Sequence, residues 1–182
     1  MIYVTSDHHF DHKNILRYCH RDFANVSAMN HELIQAWNET VREHDTVYYL
    51  GDFAFCDTER AKELFAVLNG NIIVLRYPFH HDRYWLPKDG EKFLPNVTFR
   101  GQMVSLKIYN TYVTLCHFPL EIWDRKHYGA YHCHGHSHGK LDAQRTERIL
   151  DVGVDNAFRI TGKYRPFSLW EALSIVDQRI EQ

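Results

Sequence analysis

The strongest constraint in this sequence is an alternation of two periodicities. Short apolar runs at residues 2–5, 46–50 and 72–75 read as buried strands. Between them lie two stretches of helical period. Leu33, Ile34, Trp37 and Val41 form a stripe over 27–41 behind a Ser27 cap, and Ala61, Leu64, Phe65 and Leu68 form another that stops at Asn69-Gly70. A strand–helix–strand–helix–strand order predicts a parallel sheet with crossover helices. The second half reads differently. Residues 103–109 and 112–116 alternate around Asn110-Thr111 as a hairpin, and 131–134 and 149–154 read as further strands. Ser168-x-x-Glu171 is a capping box that opens a last helix carrying Leu169, Leu173 and Val176. The expected architecture is two packed sheets, the second built from antiparallel strands, with helices outside, in one domain over 1–182.

Composition narrows what such a domain does. Fourteen of the 182 residues are histidine, and none lies beyond His138. Imidazole is the commonest protein ligand for transition metals and titrates near neutrality, so the excess points to metal chemistry or a proton relay. Lys+Arg 21 against Asp+Glu 23 argues against a dedicated binder of long nucleic acid. No apolar run reaches membrane-spanning length. The N-terminal residues show no secretory signal, and the expected compartment is cytoplasmic. Cys19, Cys56, Cys116 and Cys133 form no Cys-x-x-Cys and are expected reduced.

The polar residues collect where strands end. Asp7-x-His9 follows the first strand and Asp52 the second. His80-His81-Asp82 follows the third, His117 follows Cys116, and Gly135-His136-Ser137-His138 follows a later strand. Ligands of open α/β sheets bind outside the carboxyl ends of strands. A mixed carboxylate and imidazole set suits manganese, iron, zinc, nickel or cobalt.

Taken in order, Asp7-x-His9, Gly51-Asp52, His81-Asp82, His117 and Gly135-His136-x-His138 resemble the signature of calcineurin-like metallophosphoesterases, most closely the small capless bacterial and phage type. The resemblance runs from about residue 1 to about 175 and takes in Leu68-Asn69-Gly70-Asn71 and Asp151-Val152-Gly153-Val154-Asp155. Each piece is weak alone; five pieces in order, each at a strand end, are not. It implies an α/β/β/α four-layer sandwich of two mixed sheets and two divalent metal ions, manganese first among the metals named above. By that likeness Asp7, His9, Asp52 and His138 hold one ion, Asp52 bridges, and His117 and His136 hold the other. Paired ions acidify a bridging water and clamp a phosphoryl oxygen for in-line attack. His81 would be the general acid, with Asp82 orienting its ring. The implied substrate is a small phosphodiester, cyclic or nucleotide-like, with no membrane partner.

One motif departs from the family. Where Gly-Asn-His-Asp is expected, the chain reads Arg76-Tyr77-Pro78-Phe79-His80-His81-Asp82. The Gly is missing and His80 stands where Asn would give a carbonyl to the second ion. Three arrangements follow: His80 replaces that ligand, which is the favoured one; the second ion is weakly held; or the loop swings away and damages the site. The last would leave a binding or scaffold protein, and a phosphomonoesterase would use the same motifs as a diesterase.

The other histidines divide. His12, His132 and His134 are candidates to support the metal shell, whereas His8, His20, His31, His44 and His127 read as surface or helix residues. Cys133 lies between two histidines but on the opposite strand face, which argues against a zinc role. Arg76, Tyr77 and Arg83 follow the third strand and are candidate substrate contacts through bidentate phosphate binding and stacking.

Overall fold

The alternating half of the chain does form a parallel sheet. A computed structural model describes residues 1–77, 81–88, 91–142 and 147–181. The chain runs through β1 (Ile2–Thr5), a single helical turn α1 (Ile15–Tyr18), α2 (Val26–Thr40), β2 (Thr46–Tyr49), α3 (Thr58–Ala66), β3 (Asn71–Leu75) and β4 (Val97–Arg100). It continues with β5 (Met103–Ile108), β6 (Thr111–Cys116), β7 (Tyr131–His134), β8 (Ile149–Asp151), α4 (Val154–Thr161), β9 (Phe167–Ser168) and α5 (Leu169–Ile180).

One sheet has the order β4-β3-β2-β1-β9, parallel except for β9. The other has the order β5-β6-β7-β8. The expected β5–β6 hairpin is present, but β6, β7 and β8 are mutually parallel. That corrects the antiparallel expectation for the second half. The long connections from β6 to β7 and from β7 to β8 leave room for crossovers, which period-two patterning does not reveal. The protein is therefore mixed α/β, with two mixed sheets flanked by helices.

Both faces of the first sheet are buried. Tyr3, Val47, Tyr49, Ile72 and Val74 pack with Leu33 and Trp37 of α2, with Leu64 and Phe65 of α3, and with Phe53 and Trp85. Val4, Leu50 and Leu75 pack in a second cluster with Val113, Leu115, Cys133 and Leu150 of the second sheet and Leu169, Leu173 and Val176 of α5. Each fully buried side chain of this size contributes about 1.5–3 kcal/mol. Cys133 is thus core, facing away from the histidines beside it, as the strand period requires. A parallel bridge between Ser6 and Gly153 links the ends of β1 and β8, with the Val154 amide donating to the Ser6 carbonyl at 3.1 Å. The carboxyl ends of strands from both sheets therefore meet on one side. Among the described residues, no helix is long and apolar enough to cross a membrane.

Several boundaries move. Helix α2 is capped by Asn25, whose side chain accepts from the Ala28 amide at 3.0 Å, while Ser27 is exposed within the first turn. Helix α3 is capped by Asp57 and ends before Leu68. The strand read over 149–154 stops at Asp151, and the chain turns into α4 at Val154. The Ser168 cap is found, its hydroxyl accepting from the Glu171 amide at 3.2 Å, but the Glu171 carboxylate pairs with Arg165 instead of closing the box. Asn25→Ala should cost about 1 kcal/mol of stability. Ser27→Ala should be near neutral. Urea unfolding of the two variants separates the assignments; equal losses would return the cap to Ser27.

Candidate metal centre

The site is assembled from strand ends. Asp7 and His9 follow β1, Asp52 follows β2, His117 follows β6, and His136 and His138 follow β7. His81 and Asp82 begin a 3-10 turn, His81–Tyr84, anchored by fully buried Trp85. Backbone conformation at these positions is unusual. Asp7, His9, Asp52, His136 and His138 all have φ between 50 and 66°. Such left-handed conformations are uncommon for non-glycine residues, cost on the order of 1–3 kcal/mol each and cluster at functional sites. They turn consecutive polar side chains inward where a continuing strand would alternate them.

Four groups of ligand-type atoms result among the described residues. Asp7, His9 and His138 form the first, and Asp52, His117 and His136 the second. The other two are His9, His12 and His81, and Cys19, His138 and Asp155; in each group the atoms lie within 4.8 Å of one another. Asp52 joins the first two: its Oδ2 is 3.7 Å from His9 Nε2 and 3.5 Å from His117 Nε2. Both spacings are longer than a good hydrogen bond. His9 is 3% exposed, yet neither ring nitrogen has a hydrogen-bond partner among the described residues. Imidazole nitrogens buried in that way are costly, and ligation by a divalent cation would satisfy one of them. The donor set fits such an ion.

Electrostatics differ across the group. Burial pushes the Asp7 carboxyl up to about 6, against the pull of His117 and His138. Burial would also raise Asp52, but His117 and His9 hold it well below the usual carboxylate range. Desolvation holds His9 well below its ordinary value and therefore neutral, the form that ligates a metal. Asp7 accepts from the Ser6 hydroxyl at 2.6 Å and from the His136 amide at 3.0 and 3.1 Å. A Cβ on Gly135 would lie 2.5 Å from Asp7 Oδ2, and one on Gly153 would lie equally close, so only glycine admits the carboxylate there.

A buried arginine underlies the first group. Arg21 donates from Nε and Nη2 to both Asp155 oxygens at 2.8 Å, and from Nη2 and Nη1 to the carbonyls of Asp7 and His8 at 2.7 Å. Asp155, in the first turn of α4, sits 2.6 Å from His138 Nδ1. Burial would lower His138, but Asp155 pushes it up to about 11. A carboxylate on one ring nitrogen fixes the imidazole's orientation and leaves the other for a ligand. Asp151 organises the 135–139 turn in the same way, accepting from the Gly139 and Gly153 amides at 2.8 Å and from the Ser137 hydroxyl.

Several expectations need correction. Asp82 does not orient His81. It is buried and accepts from the Asp52 amide, the Phe53 amide and Trp85 Nε1, each at 2.8 Å, so it clamps the turn that carries Asp52. Burial, with Asp52 nearby, pushes it up to about 7. Tyr77 is no substrate contact: its hydroxyl lies under the site, accepting from the His117 amide at 3.0 Å and donating to the Gln102 carbonyl. Arg76 reaches the Pro87 carbonyl and the Phe99 ring at the β4 edge. Arg83 is exposed and lies against Tyr84. His80 falls outside the described residues.

His8 is not a surface residue. It is fully buried against Trp37 and Phe10, its Nδ1 lies 3.0 Å from the Tyr49 hydroxyl, and burial pushes it down to about 3. His132 and His134 are also fully buried. His132 meets the Thr114 carbonyl and Leu120 amide, and His134 Nδ1 meets the Gly135 carbonyl at the base of the turn carrying His136. His20, His31, His44 and His127 are exposed as expected.

His81 stands with its ring 5.1 Å from that of His9 and 4.7 Å from that of His12. A cleft of ≈ 370 Å³ opens over His9, Asp52, His81, His136 and His138, with Tyr18, Cys19 and Lys140 on its rim. Arg21, Asp151, Asp155 and Lys140 were not assigned roles from sequence. Asp155 had a signal, an acid just after a strand-end glycine; Arg21 had none, because its partners are remote in sequence.

Comparisons with known proteins place the chain as follows. No family model matches it. Over 94 residues, 50% of this chain and 49% of the relative, it is 46% identical to an uncharacterized protein of Methanocaldococcus jannaschii; the match thus spans about half of that relative's length. A crystal structure of a protein of unknown function from Aquifex aeolicus is similar with a TM-score of 0.66 at 19% identity, covering 96% of this chain and 98% of that one. The likeness establishes a shared fold.

Arg21→Ala should strand a buried carboxylate and two carbonyls, costing about 3–5 kcal/mol. Arg21→Lys should recover only part of it, since an ammonium cannot reproduce the bidentate fork. Denaturant titration measures both, and a loss for Arg21→Ala below about 1 kcal/mol, the scale of an exposed pair, would show that the cluster does not depend on this residue.

Proposed function

We propose that this protein is a phosphoester hydrolase of the calcineurin-like metallophosphoesterase type, acting on small phosphodiesters with two divalent ions. The observation that carries this reading is the position of Asp52 between two ligand groups, one of Asp7, His9 and His138 and one of His117 and His136. The sharing of one carboxylate by two sets of histidines, at strand ends of two sheets, agrees with the order of motifs in the sequence. The finer architecture in this reading is the four-layer α/β/β/α sandwich.

When bound, the ions supply Lewis-acid polarisation of the phosphoryl oxygens and an activated water. Manganese heads the candidates, because carboxylate and imidazole donors predominate around the cleft. The chain's own residues do the rest. Asp155 and Arg21 fix His138. Asp82, gripping the amides of Asp52 and Phe53, fixes the shared carboxylate. Lys140 on the rim offers a cation to an unesterified phosphoryl oxygen. His81 faces the cleft beside His9 and is placed to give a proton to the leaving oxygen. Its ring lies 5.1 Å from that of His9 and 4.7 Å from that of His12.

Hydrolysis of a bis-aryl phosphodiester should require added manganese and stop with a chelator. Asp52→Asn should lower kcat/KM at least about 100-fold, the equivalent of several kcal/mol of lost charge stabilisation, and should reduce bound metal by elemental analysis. No hydrolysis by metal-replete protein, or an indifferent Asp52→Asn, would end the proposal.

His81→Ala should behave differently. Metal content should stay at the wild-type level while kcat on an alkyl ester falls roughly 10²–10⁴-fold. A nitrophenyl ester needs little protonation, so its loss should be much smaller. Equal losses on both esters would remove His81 as the acid.

A further inference from the structure

Beside the metal cleft lies a second opening of ≈ 310 Å³, lined by Phe55, Cys56, Asp57 and Tyr84. Its walls are mainly two aromatic rings. Phe55 is 47% exposed and Tyr84 52%, their centroids 5.8 Å apart and nearly perpendicular. Single exposed aromatics are ordinary, but these two are held on rigid backbone. The Phe55 amide donates to the Phe10 carbonyl at 2.8 Å, and Phe10 pairs with Ala54 in a short parallel bridge. Tyr84 ends the 3-10 turn that Asp82 and buried Trp85 anchor. Phe53 and Phe55 alternate about this segment, one fully buried in the core and the other turned out.

The opening adjoins the cleft across two histidines. The Phe55 ring lies 5.4 Å from the His81 ring and 5.2 Å from the His12 ring, and both histidines also line the cleft. A planar group on this ledge would therefore sit beside a phosphate held over His9 and Asp52, separated from it by about the width of the His81 ring. The two openings differ in chemistry: Lys140 and the imidazoles line the cleft, and the aromatic pair lines the second opening. Arg83, stacked 4.5 Å from the Tyr84 ring centre, adds a cation at the outer edge.

We propose that the Phe55–Tyr84 ledge is a stacking subsite for the base of a nucleotide-like phosphoester, so that the substrate class is a small nucleotide and not a simple alkyl or sugar phosphate. The inference rests on reading the cleft as the phosphate site. Phe55 and Tyr84 touch no reacting atom, so the ledge is read through affinity for the base and not through turnover. Base stacking on an aromatic side chain strengthens binding by roughly tenfold per base.

The test uses two probes with the same sugar phosphate, adenosine 5′-monophosphate and ribose 5-phosphate, bound to manganese-loaded full-length protein in equilibrium dialysis. Wild type should bind the nucleotide about tenfold more tightly. Phe55→Ala with Tyr84→Ala should abolish that difference and leave ribose 5-phosphate affinity unchanged, with thermal unfolding reporting an intact fold. Phe55→Trp should keep it. Equal wild-type affinities, or a preference that survives the double alanine variant, would overturn the ledge while leaving the phosphoester reading in place. Binding of neither probe would overturn both.

Discussion

The ion pair between Arg21 and Asp155 is the interaction on which the rest of the site depends. The Arg21 side chain is fully buried, and that of Asp155 is 10% exposed. A buried pair of this kind stabilises only when every donor and acceptor is engaged. Here the guanidinium meets both carboxylate oxygens and two main-chain carbonyls, those of Asp7 and His8. One side chain thus ties the loop after β1 to the first turn of α4, which follows β8 on the other sheet. The Ser6–Gly153 bridge makes the same junction in the backbone. Asp155 in turn sets the imidazole of His138. The helix start also favours its negative charge, so the anion is held from two directions.

Strain in the site and packing in the core are two sides of one arrangement. Left-handed backbone at Asp7, His9, Asp52, His136 and His138 is unfavourable locally, and at several positions together it would not persist in a loosely packed chain. The strands that precede these residues are buried on both faces. Phe53 stacks on Phe65 and touches Trp85, so the residue after Asp52 is locked into the helix-facing core. Asp82 then holds the Asp52 and Phe53 amides. The turns that carry these residues are therefore extensions of packed elements and not free loops, which is the condition for a preorganised site.

How far the sequence made this legible depends on the range of the interaction. Asp7, His9, Asp52, His117, His136 and His138 were recognisable because each follows a short strand within four residues, and that placement is local. The parallel first sheet was recognisable from its alternation with helices. The role of Asp82 was misread, because its neighbour His81 suggested a pair, whereas its partners lie about thirty residues earlier in a different turn. Tyr77 reads from sequence as a substrate contact, since nothing near it reveals that β6 brings the His117 amide onto its hydroxyl. His8 reads from sequence as a surface or helix residue, yet the tight turn after β1 sends it into the helix-facing core beside Phe10 and Trp37. Arg21 offered no pattern at all. Strand β4 was missed between two loops, and β7 and β8 were given the wrong direction, because the side-chain period is the same in parallel and antiparallel ladders.

The excess of histidine now has a physical division. Side chains of His8, His132 and His134 are fully buried, and those of His9 and His117 nearly so, whereas His136 and His81 reach the cleft surface. A buried imidazole must be neutral, hydrogen-bonded or ligated, and these residues use different solutions. His8 and His132 find main-chain or tyrosine partners and serve the core. His138 finds a carboxylate. Neither ring nitrogen of His9 has a hydrogen-bond partner among the described residues, and Asp7 and Asp52 stand close by. Burial alone raises both carboxyls, and the two interact unfavourably with each other. A core of this sequence could satisfy a lone buried histidine with a backbone carbonyl, as it does at His132 and His134. At His9 the neighbours are carboxylates instead, with Asp52 Oδ2 3.7 Å from Nε2 and Asp7 in the same group, a donor set of the kind that suits a divalent cation.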